Sequence, residues 1–155
     1  MGVVIIRPWK ASDCPQIVEL VQTVLKQEFP QDRKAYPMED LQNLEKSYGG
    51  TGDSFLVAED GGRVIGTCGV KGDGEKTAIL RRFFVDSGHR GKGVGRGLLE
   101  QALAFCRERK FKEVVIRTAA SMEQAIRVCR KAGFQADGDW SFNGATLVRY
   151  RLKLR

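Results

Sequence analysis

The sequence predicts one α/β domain over residues 1–155, with helices packed on a mixed central sheet. Strand-like apolar runs and helix-like apolar spacings follow one another in the order β-α-α-β-β-β-α-β-α-β, with room for a further strand before the last. No repeat, low-complexity tract or Pro/Ser-rich linker interrupts this order. The chain is also long enough to bury a core without disulfides or a metal.

Local signals place each element. Apolar side chains such as Ile17, Val21 and Val24 share one helical face, and the turn Asp60-Gly61-Gly62 is typical of a hairpin. Gly133 is placed to end the last helix. The predicted elements, in order, are a strand at 3–9, helices at 12–29 and 37–48, a hairpin at 54–70, a strand at 76–85, a helix from 94 to about 109, a strand at 113–118, a helix at 122–132 and a strand at 146–154.

Composition narrows the classes of function. The net charge of +7 suits an anionic ligand, a nucleic acid or a membrane surface, but five of the basic residues lie between Arg81 and Arg96, against the single acid Asp86. We expect no nucleic-acid partner, since aromatic residues are not interleaved with the basic ones and no recognition helix is apparent. No apolar run is long enough for a membrane span. One His and four separated cysteines predict neither a metal site nor disulfides, and favour the cytoplasm.

A glycine-rich basic loop, RGKGVGRG at residues 90–97, lies between a predicted strand and a predicted helix. It lacks the Ser or Thr of a Walker A loop, and its glycines do not fit the spacing of a dinucleotide-binding fingerprint. It does fit R-x-x-G-x-G through Arg90, Gly93 and Gly95. Backbone N–H groups at the start of a helix, unobstructed by side chains, are suited to bind a pyrophosphate.

The segment FFVDSGHRGKGVGRGLLEQAL resembles the acetyl-coenzyme A loop of the GNAT superfamily of N-acetyltransferases, and the order of elements over nearly the whole chain is similar to that family. The resemblance implies a mostly antiparallel sheet that splays between its fourth and fifth strands. It implies acetyl-CoA as acetyl donor, with the pantetheine arm paired to the strand near Phe83 and Val85. The pyrophosphate would be held by the loop residues Arg90, Gly91, Lys92, Gly93, Val94, Gly95 and Arg96.

The sequence departs from the family pattern at the positions of the usual acid and base, and Met122 stands where the family frequently has Asn. Cys129 occupies the place of the usual Tyr acid, so it is a candidate general acid, although its position on the apolar face of a helix also suits a core residue. The strand position of the usual Glu base falls near Ile79 or Leu80, and the base is therefore unknown. Arg81 and Arg82 are candidate substrate-binding residues, because strand alternation would direct one of them to the cleft.

The sequence therefore predicts transfer of an acetyl group from acetyl-CoA to the primary amine of a small molecule, such as an amino acid or another anion-bearing amine. A catalytically weak acetyl-CoA sensor and a protein N-terminal or lysine acetyltransferase are the alternatives. The resemblance also allows a homodimer formed through the last strand, at 146–154.

Overall fold

The computed structural model describes residues 3–155, and a seven-stranded sheet runs through this part of the chain. The sheet order is β1-β2-β3-β4-β5-β7-β6, and all neighbours are antiparallel except the parallel pair β4 and β5. The predicted mixed, mostly antiparallel sheet is thus confirmed, including the additional strand before the last. The strands are β1 (Val4–Pro8), β2 (Ser54–Asp60), β3 (Arg63–Asp73), β4 (Thr77–Val85), β5 (Glu113–Ala119), β6 (Gln135–Phe142) and β7 (Ala145–Lys153).

In residues 3–155, five α-helices flank the sheet, and one of the predicted helices is divided in two. The backbone breaks at Asn43 (φ −144°, ψ 77°), whose side chain accepts a hydrogen bond from the N–H of Lys46 at 3.2 Å. A single helix over 37–48 was therefore wrong, because Asn43 caps a new helix instead of continuing the first. The helices are α1 (Cys14–Glu28), α2 (Glu39–Gln42), α3 (Leu44–Tyr48), α4 (Val94–Glu108) and α5 (Glu123–Lys131).

The helices cover both faces of the sheet. Adjacent residues of β3 show this division: Ile65 packs in the same core cluster as Leu98 of α4, whereas Val64 packs in the cluster that contains Val21 of α1. Side chains of successive strand residues point to opposite faces, so α4 and α1 lie on opposite sides of the sheet. Among residues 3–155, no helix is long and apolar enough to span a bilayer.

The sheet splays where β4 and β5 part. The two strands pair only over Thr77–Leu80 and Glu113–Ile116; beyond that point β4 continues along β3, and β5 continues along β7. The backbone of residues 81–85 is therefore unpaired on the side that faces β5, which leaves a gap in the middle of the sheet. The splay predicted between the fourth and fifth strands is confirmed.

The last strand is an interior strand of the sheet. β7 pairs with β5 on one side and with β6 on the other, so its backbone donors and acceptors are engaged along both edges. The outer edges of the sheet are β1 and β6. Subunits that paired edge to edge at this end of the sheet would have to use β6, not the strand at 146–154 that the sequence suggested.

Candidate functional site

A cleft of about 810 Å³ opens beside the splay, between the end of β4, the start of α4 and the length of α5. It collects the predicted cofactor-binding residues from two elements and the loop that joins them. Lys92 is exposed and is absent from the lining. The predicted residues that line the cleft are Phe83, Val85, Arg90, Gly91, Gly93, Val94, Gly95 and Arg96.

The glycine loop turns directly into α4. Gly91 (φ +76°) and Gly93 (φ +82°) both adopt left-handed backbone, which residues with a Cβ rarely do, and Gly93 is the N-cap residue. The hydrogen-bond ladder of the helix begins with the N–H of Gly97 donating to the carbonyl of Gly93 at 2.9 Å. The preceding N–H groups, at 94–96, therefore have no intrahelical acceptor and are available to an anion at the positive end of the helix dipole.

The Arg90 side chain braces this loop instead of projecting into the cleft as a free cation. Its Nε donates to the carbonyl of Val85 at 3.1 Å, and its two terminal nitrogens donate to the carboxylate of Glu28 at the end of α1, one of them at 2.7 Å. Arg96 is likewise paired, with its Nε 2.9 Å from Oε1 of Glu100. The sequence analysis placed both arginines in the pyrophosphate loop but did not predict that they would pair with Glu28 and Glu100.

Two cations on α5 supply charge that the sequence analysis missed. Arg127 and Lys131 lie one helical turn apart and both line the cleft. In the described part of the chain, no carboxylate lies within 4 Å of either side chain, so their charges are not neutralised by a close ion pair. The i, i+4 spacing of two basic residues opposite the apolar face of this helix was the available sequence signal.

His89 ties the loop to the hairpin between β2 and β3. Its Nδ1 lies 2.9 Å from a carboxylate oxygen of Asp86, and its Nε2 lies 3.0 Å from one of Asp60. The hydrogen bonds to Asp86 and Asp60 raise the pKa of His89 above its ordinary value. Since both ring nitrogens are engaged, His89 holds the loop in place.

A second, small cavity of about 20 Å³ lies between β4 and β5 at the splay. Arg81, Arg82 and Arg117 all line it. Strand alternation predicted that only one of the first two would face the cleft, but the pairing of β3 with β4 shifts register here, and Arg82 adopts φ +56°. Thr67 Oγ1 donates to the Arg82 carbonyl at 2.6 Å, which satisfies a group displaced from the ladder.

The Arg82 guanidinium is buried and only partly paired. Its Nε donates to Asp40 at 3.1 Å, and its Nη2 donates to Asp40 and to the carbonyl of Pro37. Burial raises the pKa of Asp40, but the hydrogen bonds from Arg82 and Tyr48 outweigh this effect and hold it below its usual value. Within residues 3–155, Nη1 of Arg82 has no hydrogen-bond partner. A cation with a spare donor therefore lines the small cavity.

Cys129 lies apart from both cavities. Its side chain is 1% exposed, belongs to the core cluster under α4, and lines neither cavity. Burial raises its pKa to about 12, and a thiol that lines neither cavity does not reach a ligand bound in either one. These observations agree with the alternative that Cys129 is a core residue.

In the range 3–155, no three His, Cys, Asp or Glu side chains form a group that could hold a metal ion.

A sheet that splays beside an anion-binding helix start is the arrangement that the sequence resemblance implied for an acyltransferase that uses coenzyme A. Residues 18–134, about three quarters of the chain, match the model of the acetyltransferase (GNAT) family. The chain therefore belongs to the GNAT family, whose acetyl donor is acetyl-CoA.

Similar proteins agree with this assignment. N-acetyltransferase 8 of Rattus norvegicus is 36% identical over 106 residues, which cover 64% of this chain and 48% of that protein. The chain thus spans about half the length of the curated relatives it matches. A GNAT-family acetyltransferase from Staphylococcus aureus has the same fold, with a TM-score of 0.86, 22% identity, and coverage of 99% of this chain and 100% of that one. The yncA protein of Salmonella typhimurium, solved with its cofactor acetyl-CoA, also shares the fold, with a TM-score of 0.79, 21% identity, and coverage of 98% and 94%.

Proposed function

We propose that this chain transfers the acetyl group of acetyl-CoA directly to the primary amine of a small molecule that carries a carboxylate or a similar anion. The observation that carries the acceptor class is the buried guanidinium of Arg82, which lines the small cavity at the splay and whose Nη1 has no hydrogen-bond partner within residues 3–155. A buried donor left without a partner is costly, and a carboxylate would satisfy it.

The surroundings of this cavity support the same acceptor. Arg81 and Arg117 are exposed residues that line it together with Arg82, so three cations surround the place where the acceptor would enter. A polyamine would be repelled by this field, whereas an amino acid would be attracted by it.

The large cleft would hold the donor. The N–H groups at the start of α4 would bind the pyrophosphate, and the unpaired backbone near Phe83 and Val85 would pair with the pantetheine arm. Arg127 and Lys131 of α5 would add attraction for the phosphates. Catalysis would then come largely from holding the amine against the acetyl carbon at the splay, where the two cavities meet.

The test begins with a thermal-shift titration with acetyl-CoA, followed by measurement of free-thiol release with pairs of amines. Each pair consists of an L-amino acid and its decarboxylated amine, for example L-alanine with ethylamine and L-phenylalanine with phenethylamine. We expect stabilisation by acetyl-CoA and faster release with the amino acid of each pair. In Arg117→Gln, an exposed position, this preference should shrink while stabilisation by acetyl-CoA is retained.

The outcomes separate the parts of the proposal. Equal rates for both members of every pair would remove the anionic acceptor and leave acetyl transfer intact. Activity on peptide N-termini alone would favour a protein acetyltransferase. Stabilisation without thiol release for any amine would favour the sensor, and no stabilisation at all would contradict the assignment of the donor cleft.

A further inference from the structure

The two cavities adjoin where they share lining residues, and we call this shared part the neck. Four residues line both of them: Phe83 and Phe84 of β4, Met122 at the N-terminal end of α5, and Ala125 of α5. Because the donor cleft lies on one side of the neck and the arginine-lined cavity lies on the other, the thioester of a bound donor and the amine of an acceptor would meet here. A group that protonates the departing sulfur must therefore reach the neck.

Tyr36 brings a hydroxyl to this neck from the segment between α1 and α2. Its ring packs edge-on to Phe84, with 6.1 Å between centroids and 71° between planes. Its Oη accepts a hydrogen bond from the N–H of Ala119 at 2.8 Å, and donates toward Sδ of Met122 at 3.4 Å. Two of the four neck residues are thus in direct contact with the Tyr36 side chain.

The segment that carries Tyr36 is anchored to the opposite side of the splay. Ser121 Oγ donates to the carboxylate of Asp32, and Asn143 Nδ2 donates to the carbonyl of Lys34 at 3.1 Å. Both partners lie in the 3-10 turn Pro30–Ala35 that directly precedes Tyr36. The phenol is consequently held in one place by its neighbours as well as by its own hydrogen bonds.

The hydrogen bonds of Tyr36 leave its proton available. The N–H of Ala119 occupies a lone pair of the oxygen, so the O–H must point elsewhere, and its acceptor is a thioether sulfur, which is a weak one. A thiolate at the neck would be a far stronger acceptor. Burial raises the pKa of Tyr36, so the phenol keeps its proton at neutral pH until such an acceptor forms.

The other candidate donors near the neck are engaged or buried elsewhere. Thr118 Oγ1 points to the carbonyl of Ala119 at 3.5 Å, Ser121 Oγ is bonded to Asp32, and Cys129 lines neither cavity. Among the residues 3–155 that line either cavity, Tyr36 is the one tyrosine. The family position of the usual Tyr acid is occupied by Cys129, so a phenol supplied by a different element would fill the same need.

We propose that Tyr36 is the general acid of this chain and donates its proton to the sulfur of coenzyme A as that sulfur leaves. This role rests on the proposed acetyl transfer. The amine nitrogen forms a bond to the acetyl carbon as the carbon–sulfur bond breaks, and the electron pair of that bond stays on sulfur. The phenolic proton of Tyr36 passes to the sulfur, the proton lost by the amine passes to water, and the phenolate of Tyr36 recovers a proton from water. The products are the N-acetyl amine and free coenzyme A.

The test compares Tyr36→Phe with wild type on acetyl-CoA and the best amino acid of the panel described above. General acids contribute about 10²- to 10⁴-fold, so we expect kcat to fall by roughly 100-fold or more in Tyr36→Phe. The KM for acetyl-CoA and the thermal stabilisation by acetyl-CoA should change little. Wild-type kcat should decline at alkaline pH as the phenol ionises, and this decline should be absent in Tyr36→Phe.

The matched control is Tyr150→Phe. Tyr150 is a buried phenol that accepts a hydrogen bond from Arg130 at 3.4 Å and lines neither cavity. Its removal should leave the pH profile of kcat unchanged. A second measurement does not depend on the folding of any variant: wild type made with 3-fluorotyrosine has more acidic phenols, so the alkaline decline of kcat should move to lower pH.

Each outcome bears on a separate part of the argument. Wild-type kcat in Tyr36→Phe, or an alkaline decline unmoved by 3-fluorotyrosine, would overturn the role of Tyr36 and leave the proposed function standing. A wild-type chain that binds acetyl-CoA but acetylates no amine would overturn the proposed function, and the role of Tyr36 with it. A loss of stabilisation by acetyl-CoA in Tyr36→Phe, in step with the loss of kcat, would show a structural role instead of an acid.

Discussion

The first turn of α4 offers a prediction in which protein stability and ligand binding respond differently to two neighbouring substitutions. Gly93 is the left-handed N-cap, at φ +82° and ψ 7°, and a Cβ built there meets nothing within 4 Å. Gly95 lies inside the helix, and a Cβ there meets Val128, Phe83 and Val85 at 3.6–3.7 Å, which is ordinary contact. Neither alanine would clash with the protein, so backbone conformation decides the effect on stability.

The two alanines should change stability in opposite directions. Left-handed backbone costs a residue with a Cβ about 1–2 kcal/mol, so Gly93→Ala should lower the free energy of unfolding by that amount. In a chain of this length each kcal/mol corresponds to about 2–4 °C in Tm, which gives a fall of roughly 2–8 °C. In Gly95→Ala, the better helix propensity of alanine, worth up to about 1 kcal/mol, should leave Tm unchanged or slightly raised.

Both alanines should nevertheless weaken acetyl-CoA binding, because each places a methyl group where the pyrophosphate would approach the main chain. The assay is thermal denaturation with and without acetyl-CoA, together with a direct measurement of Kd. Gly74→Ala is the matched control: Gly74 has φ +75° and open space around it in the turn between β3 and β4, so it should lower Tm and leave Kd unchanged. Wild-type Kd in Gly95→Ala would refute the idea that the ligand lies against this turn.

Three further predictions concern single side chains. Hydrogen bonds to Asp86 and Asp60 raise the pKa of His89, so the stability that its charged form contributes is complete below its ordinary value of about 6.5 and is lost as pH rises through the raised value. The Tm deficit of His89→Gln should therefore be largest below about pH 6.5 and shrink as the pH rises, and a pH-independent deficit would contradict a role for the charged imidazole. Cys129→Ala should cost about 1 kcal/mol of stability and leave the pH profile of kcat unchanged, whereas a lost alkaline decline would restore the thiol as acid. Arg127→Gln and Lys131→Gln should each raise the Kd for acetyl-CoA about 2- to 5-fold at low salt and much less at high salt, because salt screens the attraction of these charges for the phosphates. Lys76→Gln, at a position outside the cleft, is the control and should leave Kd unchanged. A rise in Kd that did not depend on salt would show that the two side chains act through packing and not through charge.

The sequence predicted the position of the glycine loop and of the helix that follows it because both are specified by nearby residues. The loop from Arg90 to Arg96 lies between a strand and a helix that neighbouring residues specify, and the requirement for left-handed glycines at 91 and 93 arises within the loop itself. The order of strands and helices follows from apolar periodicity over a few residues. The error in this order was the single helix predicted over 37–48, which is interrupted because Asn43 caps a second helix.

The sequence could not predict the pairings that decide what the side chains do. Arg90 is hydrogen-bonded to Glu28, 62 positions away in the sequence, and Arg82 is hydrogen-bonded to Asp40, 42 positions away. The residues adjacent to each arginine in the sequence therefore do not indicate whether it forms an ion pair. Arg81 and Arg82 line the same cavity where the register between β3 and β4 shifts. The alternation of side chains along a regular strand does not predict such a shift.

The sequence by itself therefore determined the family, the sheet with its flanking helices, and the glycine loop that would bind the donor. Only the tertiary structure showed which of the two positions open to Cys129, core or cleft, the residue occupies, and only it brought Tyr36 to Met122, 86 positions away, at the neck between the cavities. The physical reason is the distance along the sequence over which each kind of interaction acts. Backbone conformation and periodicity depend on residues a few positions apart, whereas burial, proton donation and charge pairing depend on which distant segments the folded sheet brings into contact.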